Sequence, residues 1–191
     1  MLLKHISTIT VGQIMPRVIC KEGDEGESVK VLVPKAISNG TIDLESIKTE
    51  TVKVANKNKK TSTGDIVMKL SSPYDAVYIS KEYSGFLVPS FCAIIKLNDP
   101  SFCAKYLVAY LNSIQVKDEL SSKALGTTRA MTRPLDIEQL DIPETSDTNM
   151  KLIGEAYELS EKKKKAMKRL IEIETELMNK TVTSIIQKGG E

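Results

Sequence analysis

The sequence predicts an α+β fold: a β-rich domain with packed helices over residues 1–146, followed by one long coiled-coil helix over 147–188. Three observations predict it. Short β-branched or alternating runs separated by turn signals fill the first hundred residues. Apolar residues at helical spacing follow Asp99-Pro100. From about Met150 the composition turns to strong helix formers, with no proline and no glycine between Gly154 and Gly189.

The strand runs are "VKVLVPKAI" (29–37), "ETVKV" (50–54), "GDIVMKL" (64–70), "DAVYIS" (75–80), "GFLVP" (85–89) and "SFCAIIKL" (90–97). Asn39-Gly40, Ser62-Thr63-Gly64 and Ser72-Pro73 punctuate them, so an antiparallel or mixed sheet is expected. The stretch before residue 29 carries no such run and is expected to be loose around His5. A helix is expected from Asp99 as N-cap and Pro100 at its first position, with Ala104, Leu107, Val108, Leu111 and Ile114 on its buried stripe. "LDIEQLDIP" predicts a turn or short helix leading into a last strand that Pro143 ends.

In the C-terminal helix Leu152, Leu159, Ala166 and Ile173 recur every seven residues, with Ala156, Lys163, Leu170 and Leu177 at the intervening step. Tyr157, Met167, Ile171 and Met178 form a second apolar strip. At about 1.5 Å per residue the helix would extend roughly 55 Å, too far to bury its seam on its own domain. A second chain is the expected partner. The run Lys162 to Lys165 is taken as a solvated face.

Bulk properties exclude several classes. The 191 residues suit one domain plus an extended element, and no run approaches the roughly 20 apolar residues of a membrane span. "MLLKHISTITVGQ" lacks a secretory h-region and cleavage site, so a cytoplasmic location is expected. Cys20, Cys92 and Cys103 form no CxxC pair and are expected to be structural thiols. His5 is the only histidine, which speaks against histidine triads and most zinc sites. Neither GxxxxGK[ST] nor a strand followed by GxGxxG is present. "SSPY" (71–74) lacks the double proline of the amino-methyltransferase tetrad and reads as a turn. No catalytic residue, metal or cofactor is expected.

A net charge of +2 does not identify a nucleic-acid binder, so the local distribution matters. "VKVANKNKKTST" (52–63) contains no acid, and neither does the stretch from Leu120 to Leu135. The order of "GDIVMKL", "PSFCAIIKLNDPSFCAKYLVAYLNS" (89–113), "LGTTRAMTRPLDIEQLDIP" (125–143) and a long helix resembles a target recognition domain from the specificity (S) subunits of type I restriction-modification systems. Glu144 and Asn149 stand where such proteins carry a second proline and a glutamine, which leaves the geometry at the start of the helix open.

The resemblance implies a non-catalytic subunit without a cofactor of its own. Members carry two such units with antiparallel helices, so this chain looks like one half and is expected to pair as a homodimer through Leu152, Ala156, Leu159, Ala166, Leu170, Ile173 and Leu177. The expected partners are double-stranded DNA carrying a bipartite site, methyltransferase subunits that bring the S-adenosylmethionine chemistry, and a restriction subunit that brings ATP-driven cleavage. Base edges and phosphates are reached best from loops. The candidate DNA-binding residues are therefore Lys35, Ser38 and Asn39; Lys57, Lys59 and Lys60; Lys69, Ser71, Ser72 and Tyr74; and Thr127, Thr128, Arg129 and Arg133. The competing reading is a coiled-coil adaptor whose head binds protein rather than DNA.

Overall fold

The computed structural model describes residues 1–21, 23–124 and 131–188. Its strands are β1 (Ser7–Val11), β2 (Glu27–Val31), β3 (Ile37–Ser38), β4 (Thr41–Ile42), β5 (Lys48–Val52), β6 (Ile66–Lys69), β7 (Ala76–Tyr78) and β8 (Cys92–Leu97), and its helices are α1 (Ala104–Leu111), α2 (Ile114–Ala124), α3 (Pro134–Glu138) and α4 (Asp147–Lys188). The chain divides into two compact units, Met1–Tyr157 and Glu158–Glu191. None of the described helices is long and apolar enough to cross a membrane.

The central sheet of the first unit is antiparallel, in the order β1-β8-β6-β7. β6 and β8 are apolar at nearly every position because both of their faces are covered. Ile66, Met68, Ala93 and Ile95 meet Leu107, Leu111, Val116 and Leu120 from α1 and α2, with Ile137 of α3. On the opposite face Val67, Val77, Cys92 and Ile94 meet Leu32, Ile37, Ile42 and Phe86. A smaller cluster of Val29, Val31, Val52 and Leu87 lies under the β2–β5 hairpin.

Several expectations need correction. The N-terminal stretch is built in: β1 pairs with β8 from Ser7↔Leu97 to Val11↔Ala93, and Leu3 is fully buried with its N–H donating to Leu140 O at 2.9 Å. The run 29–37 is two strands, because Pro34 cannot donate to a ladder and opens a 3₁₀ turn between them. Residues 85–89 are not a strand: they pair through isolated bridges at Leu87 and Pro89 and scattered backbone hydrogen bonds to segments 11–14, 30–32 and 59–61.

The helix expected from Asp99 starts instead at Ala104, since the Asp99 carboxylate accepts the Ser101 N–H (2.9 Å) and hydroxyl (2.6 Å) in a turn. It also breaks at Asn112, whose side-chain amide donates to Ala76 O (2.7 Å) and accepts the Ala76 N–H (3.0 Å), clipping the helix end to β7. Ile114 consequently opens α2 exposed rather than continuing the buried stripe. After α3 the expected last strand is a single bridge, Leu2↔Asp141.

The start of α4 is set by Ser146, whose hydroxyl accepts the Asn149 N–H at 3.3 Å in the manner of an N-cap. Its first turns belong to the core of the first unit. Met150 is buried, the Tyr157 hydroxyl donates to Gly40 O at 2.9 Å, and a Cβ on Gly154 would stand 2.9 Å from Cys103 Sγ. The second unit is the rest of the helix, lined by the pairs Lys162–Glu158, Lys164–Glu161, Arg169–Glu172 and Lys180–Glu176.

Candidate nucleic-acid interface

Antiparallel pairing brings the end of β1 (Val11), the start of β8 (Cys92), the end of β6 (Lys69) and the start of β7 (Ala76) to one end of the sheet. The connections leaving that end are stitched together by backbone. Gly12 N–H donates to Cys92 O (2.9 Å), Gln13 N–H to Val88 O (2.6 Å) and Ser90 N–H to Gln13 O (2.8 Å). Leu70 N–H donates to Phe91 O (2.9 Å), Thr132 N–H to Leu70 O (2.8 Å), and Ser71 bridges Met131. Val88 N–H donates to Lys59 O (2.9 Å), and the Lys59 ammonium reaches Val11 O (2.6 Å). Segments 57–60, 11–14, 88–92, 69–72 and 131–133 thus form one continuous rim. A Cβ on Gly12 would lie 2.2 Å from Pro89 O and 2.4 Å from Val88 O, so glycine is what lets two of these segments meet.

The candidate residues fall into distinct environments. Lys35, Ser38, Asn39, Lys57 and Ser72 are exposed, Ser71 is half-buried, and Asn39 holds the β3–β4 turn at φ 49°. Lys59 is committed to Val11 O, and Lys60 pairs with Glu27 at 2.6 Å. Tyr74 is 2% exposed and belongs to the core. Thr127, Thr128 and Arg129 lie outside the described residues.

Arg133 is 70% exposed, and its Nε and Nη2 bind the two oxygens of Asp136 at 3.1 and 3.0 Å. That bidentate pair raises the guanidinium's pKa and holds the Asp136 carboxyl below its ordinary value, while leaving further N–H donors of Arg133 facing solvent. Sequence reasoning missed Gln13, Ser90 and Phe91. Phe91 is 57% exposed at the rim, although it sits in an apolar run that reads as buried strand.

Lys69 is 11% exposed and anchors the rim from inside. Its ammonium meets Asp75 Oδ2 at 3.1 Å and Ile37 O at 2.9 Å, while Lys117 of α2 meets Asp75 Oδ1 at 2.6 Å. Burial pushes the Asp75 carboxyl up, but hydrogen bonds from Lys117 and Lys69 outweigh it and leave the pKa below the ordinary 3.8. This triad ties the 35–39 turn and α2 to the end of the sheet. Burial pushes the neighbouring Cys92 thiol up to about 12, so it stays protonated. Among the described residues no group of three or more His, Cys, Asp or Glu side chains could hold a metal ion.

In α4, Leu152, Ala156, Leu159, Ala166, Leu170, Ile173 and Leu177 are all exposed. They follow the heptad along one stripe of the helix.

Neither a protein-family model nor a curated protein matches the chain. Solved structures do. A chain from a structure of the type I R-M system, addressing its complex assembly and conformational transition, aligns with a TM-score of 0.65 at 14% identity over 88% of this chain and 43% of that one. The HsdS subunit from Thermoanaerobacter tengcongensis gives 0.55 at 15% identity over 88% and 38%. The type I restriction-modification S subunit from M. genitalium gives 0.56 at 13% over 88% and 40%. The fold is HsdS-like. The chain spans about two fifths of the length of each of these structures. The HsdS-like likeness takes in most of the chain, as expected of a β-rich domain followed by a long helix.

Proposed function

We propose that this chain is a non-catalytic DNA-recognition subunit of a type I restriction-modification assembly. It reads one half of a bipartite site and docks methyltransferase and restriction subunits that carry the chemistry. The observation that carries the reading is the convergence, in an HsdS-like fold, of loops chosen for DNA chemistry on one end of the sheet: 57–60, 69–72 and 131–133 share the rim, and 35–39 is tied to it through Lys69. Exposed Lys57 and Arg133 suit phosphates, and exposed hydroxyls suit base edges.

Binding of the purified chain to duplex DNA tests the reading. The logarithm of affinity is expected to fall steeply with the logarithm of salt concentration, and Arg129→Ala to cost about 1–3 kcal/mol at fixed salt. Absence of salt-sensitive duplex binding leaves the adaptor reading in its place.

The exposed heptad seam of α4 supports a two-fold dimer in which a second copy covers Leu159, Leu170, Ile173 and Leu177 and presents the second half-site reader. Light scattering is expected to give twice the chain mass. Leu170→Glu, which sets a charge in the middle of the seam, is expected to return the mass to that of one chain. A wild-type monomer at micromolar concentration contradicts the dimer.

A further inference from the structure

We infer that Gln13 and Phe91 are specificity-determining residues that read an A·T base pair from the major groove. The assignment rests on the DNA reading proposed above and names what one part of the rim recognises. Phe91 is one of the chain's three phenylalanines and is 57% exposed, while Cys92 and Val88 beside it are fully buried. An exposed phenyl ring alone means little. Here it stands on backbone that is fixed on both sides, with Phe91 O accepting the Leu70 N–H at 2.9 Å and Ser90 N–H donating to Gln13 O at 2.8 Å. That last bond sets Gln13 beside the Ser90-Phe91 step.

The Gln13 side chain makes no hydrogen bond among the described residues, so its amide keeps a donor and an acceptor to offer. Segments 11–14, 69–72 and 88–92 contain no carboxylate, and the same backbone-linked segments carry Ser71, Ser72 and Ser90. A neutral strip with an amide, hydroxyls and one ring, flanked by the cations Lys57 and Arg133, suits base edges at its centre and phosphates at its margins. In the major groove only an A·T pair shows an acceptor–donor edge on adenine, which glutamine matches bidentately, next to the apolar 5-methyl of thymine, which a phenyl ring covers.

Selection of duplexes from a random pool by the full chain, repeated with deoxyuridine replacing thymidine, tests the assignment. The wild-type chain is expected to select a site with a fixed A·T pair, and to lose about three- to fivefold in affinity when that thymine loses its methyl. Phe91→Ser is expected to bind thymine and uracil duplexes alike, whereas Phe91→Leu keeps the preference. Gln13→Ala is expected to lose roughly 5- to 150-fold of its discrimination against G·C at that position. Lys57→Ala lowers affinity for both pools equally, which separates loss of anchoring from loss of reading. Wild-type affinity indifferent to the methyl, or variants that keep the wild-type site and uracil sensitivity, overturns the assignment while leaving DNA recognition standing. If no duplex is selected at all, the DNA reading falls and this assignment falls with it.

Discussion

Asp75→Asn is expected to lower the stability of the first unit by about 3 kcal/mol at neutral pH, seen as a reduced denaturant midpoint at unchanged slope. The side chain is nearly isosteric, so the loss comes from charge. Asp75 is 1% exposed and neutralises two ammonium groups, Lys69 at 3.1 Å and Lys117 at 2.6 Å. Removing the anion leaves Lys69 uncompensated in the interior. Lys117, 24% exposed, can turn toward water, which places the cost at the lower end of the range for breaking a buried pair.

The pH dependence has a definite sign. The folded-state pKa of Asp75 lies below the ordinary 3.8, so its contribution is fully present above that value and is lost as pH falls through the folded pKa. The gap between wild type and Asp75→Asn is therefore wide at pH 7 and narrows below about pH 4. Because Lys69 also donates to Ile37 O, amides of the 37–42 hairpin are expected to exchange faster in the variant. An unchanged midpoint at pH 7 sinks this account of the triad.

The triad also marks how far the sequence can be read. Lys69 reads from the sequence as a loop candidate for DNA, because nothing local says that β6, β7 and α2 bring Lys69, Asp75 and Lys117 together. The central strands were legible, since burial on both faces writes itself as continuous apolar sequence in "IVM" and "CAII". β1 was not: "STITV" is an edge strand with one polar face, and its partner β8 begins more than 80 residues away. The seam of α4 was legible because its period is local, and so was the turn chemistry of the loops. Their meeting at one rim depends on the order β1-β8-β6-β7, which is topology rather than composition. Phe91 was lost for a related reason. Only the register Lys69↔Cys92 shows that the ladder stops one residue short of it.

Gly12→Ala is expected to cost about 2–4 kcal/mol and to weaken DNA binding even where the chain remains folded. The new Cβ would stand 2.2 Å from Pro89 O and 2.4 Å from Val88 O, both backbone atoms that no rotamer change can move aside. Relief requires segments 11–14 and 88–92 to separate. Separation stretches Gly12 N–H to Cys92 O, Gln13 N–H to Val88 O and Ser90 N–H to Gln13 O together, so the strain adds to the loss of buried hydrogen bonds. Gly64→Ala is the informative comparison. Its φ of +94° strains any side chain, yet nothing lies within 4 Å of its Cβ, and it sits away from the rim. It is expected to cost about 1–2 kcal/mol and to leave duplex affinity unchanged once folded. Thermal melts and duplex titrations of the two variants separate a glycine kept for its dihedral angle from one kept for close approach. Equal effects on binding would show that the contact between 11–14 and 88–92 does not shape the reading surface.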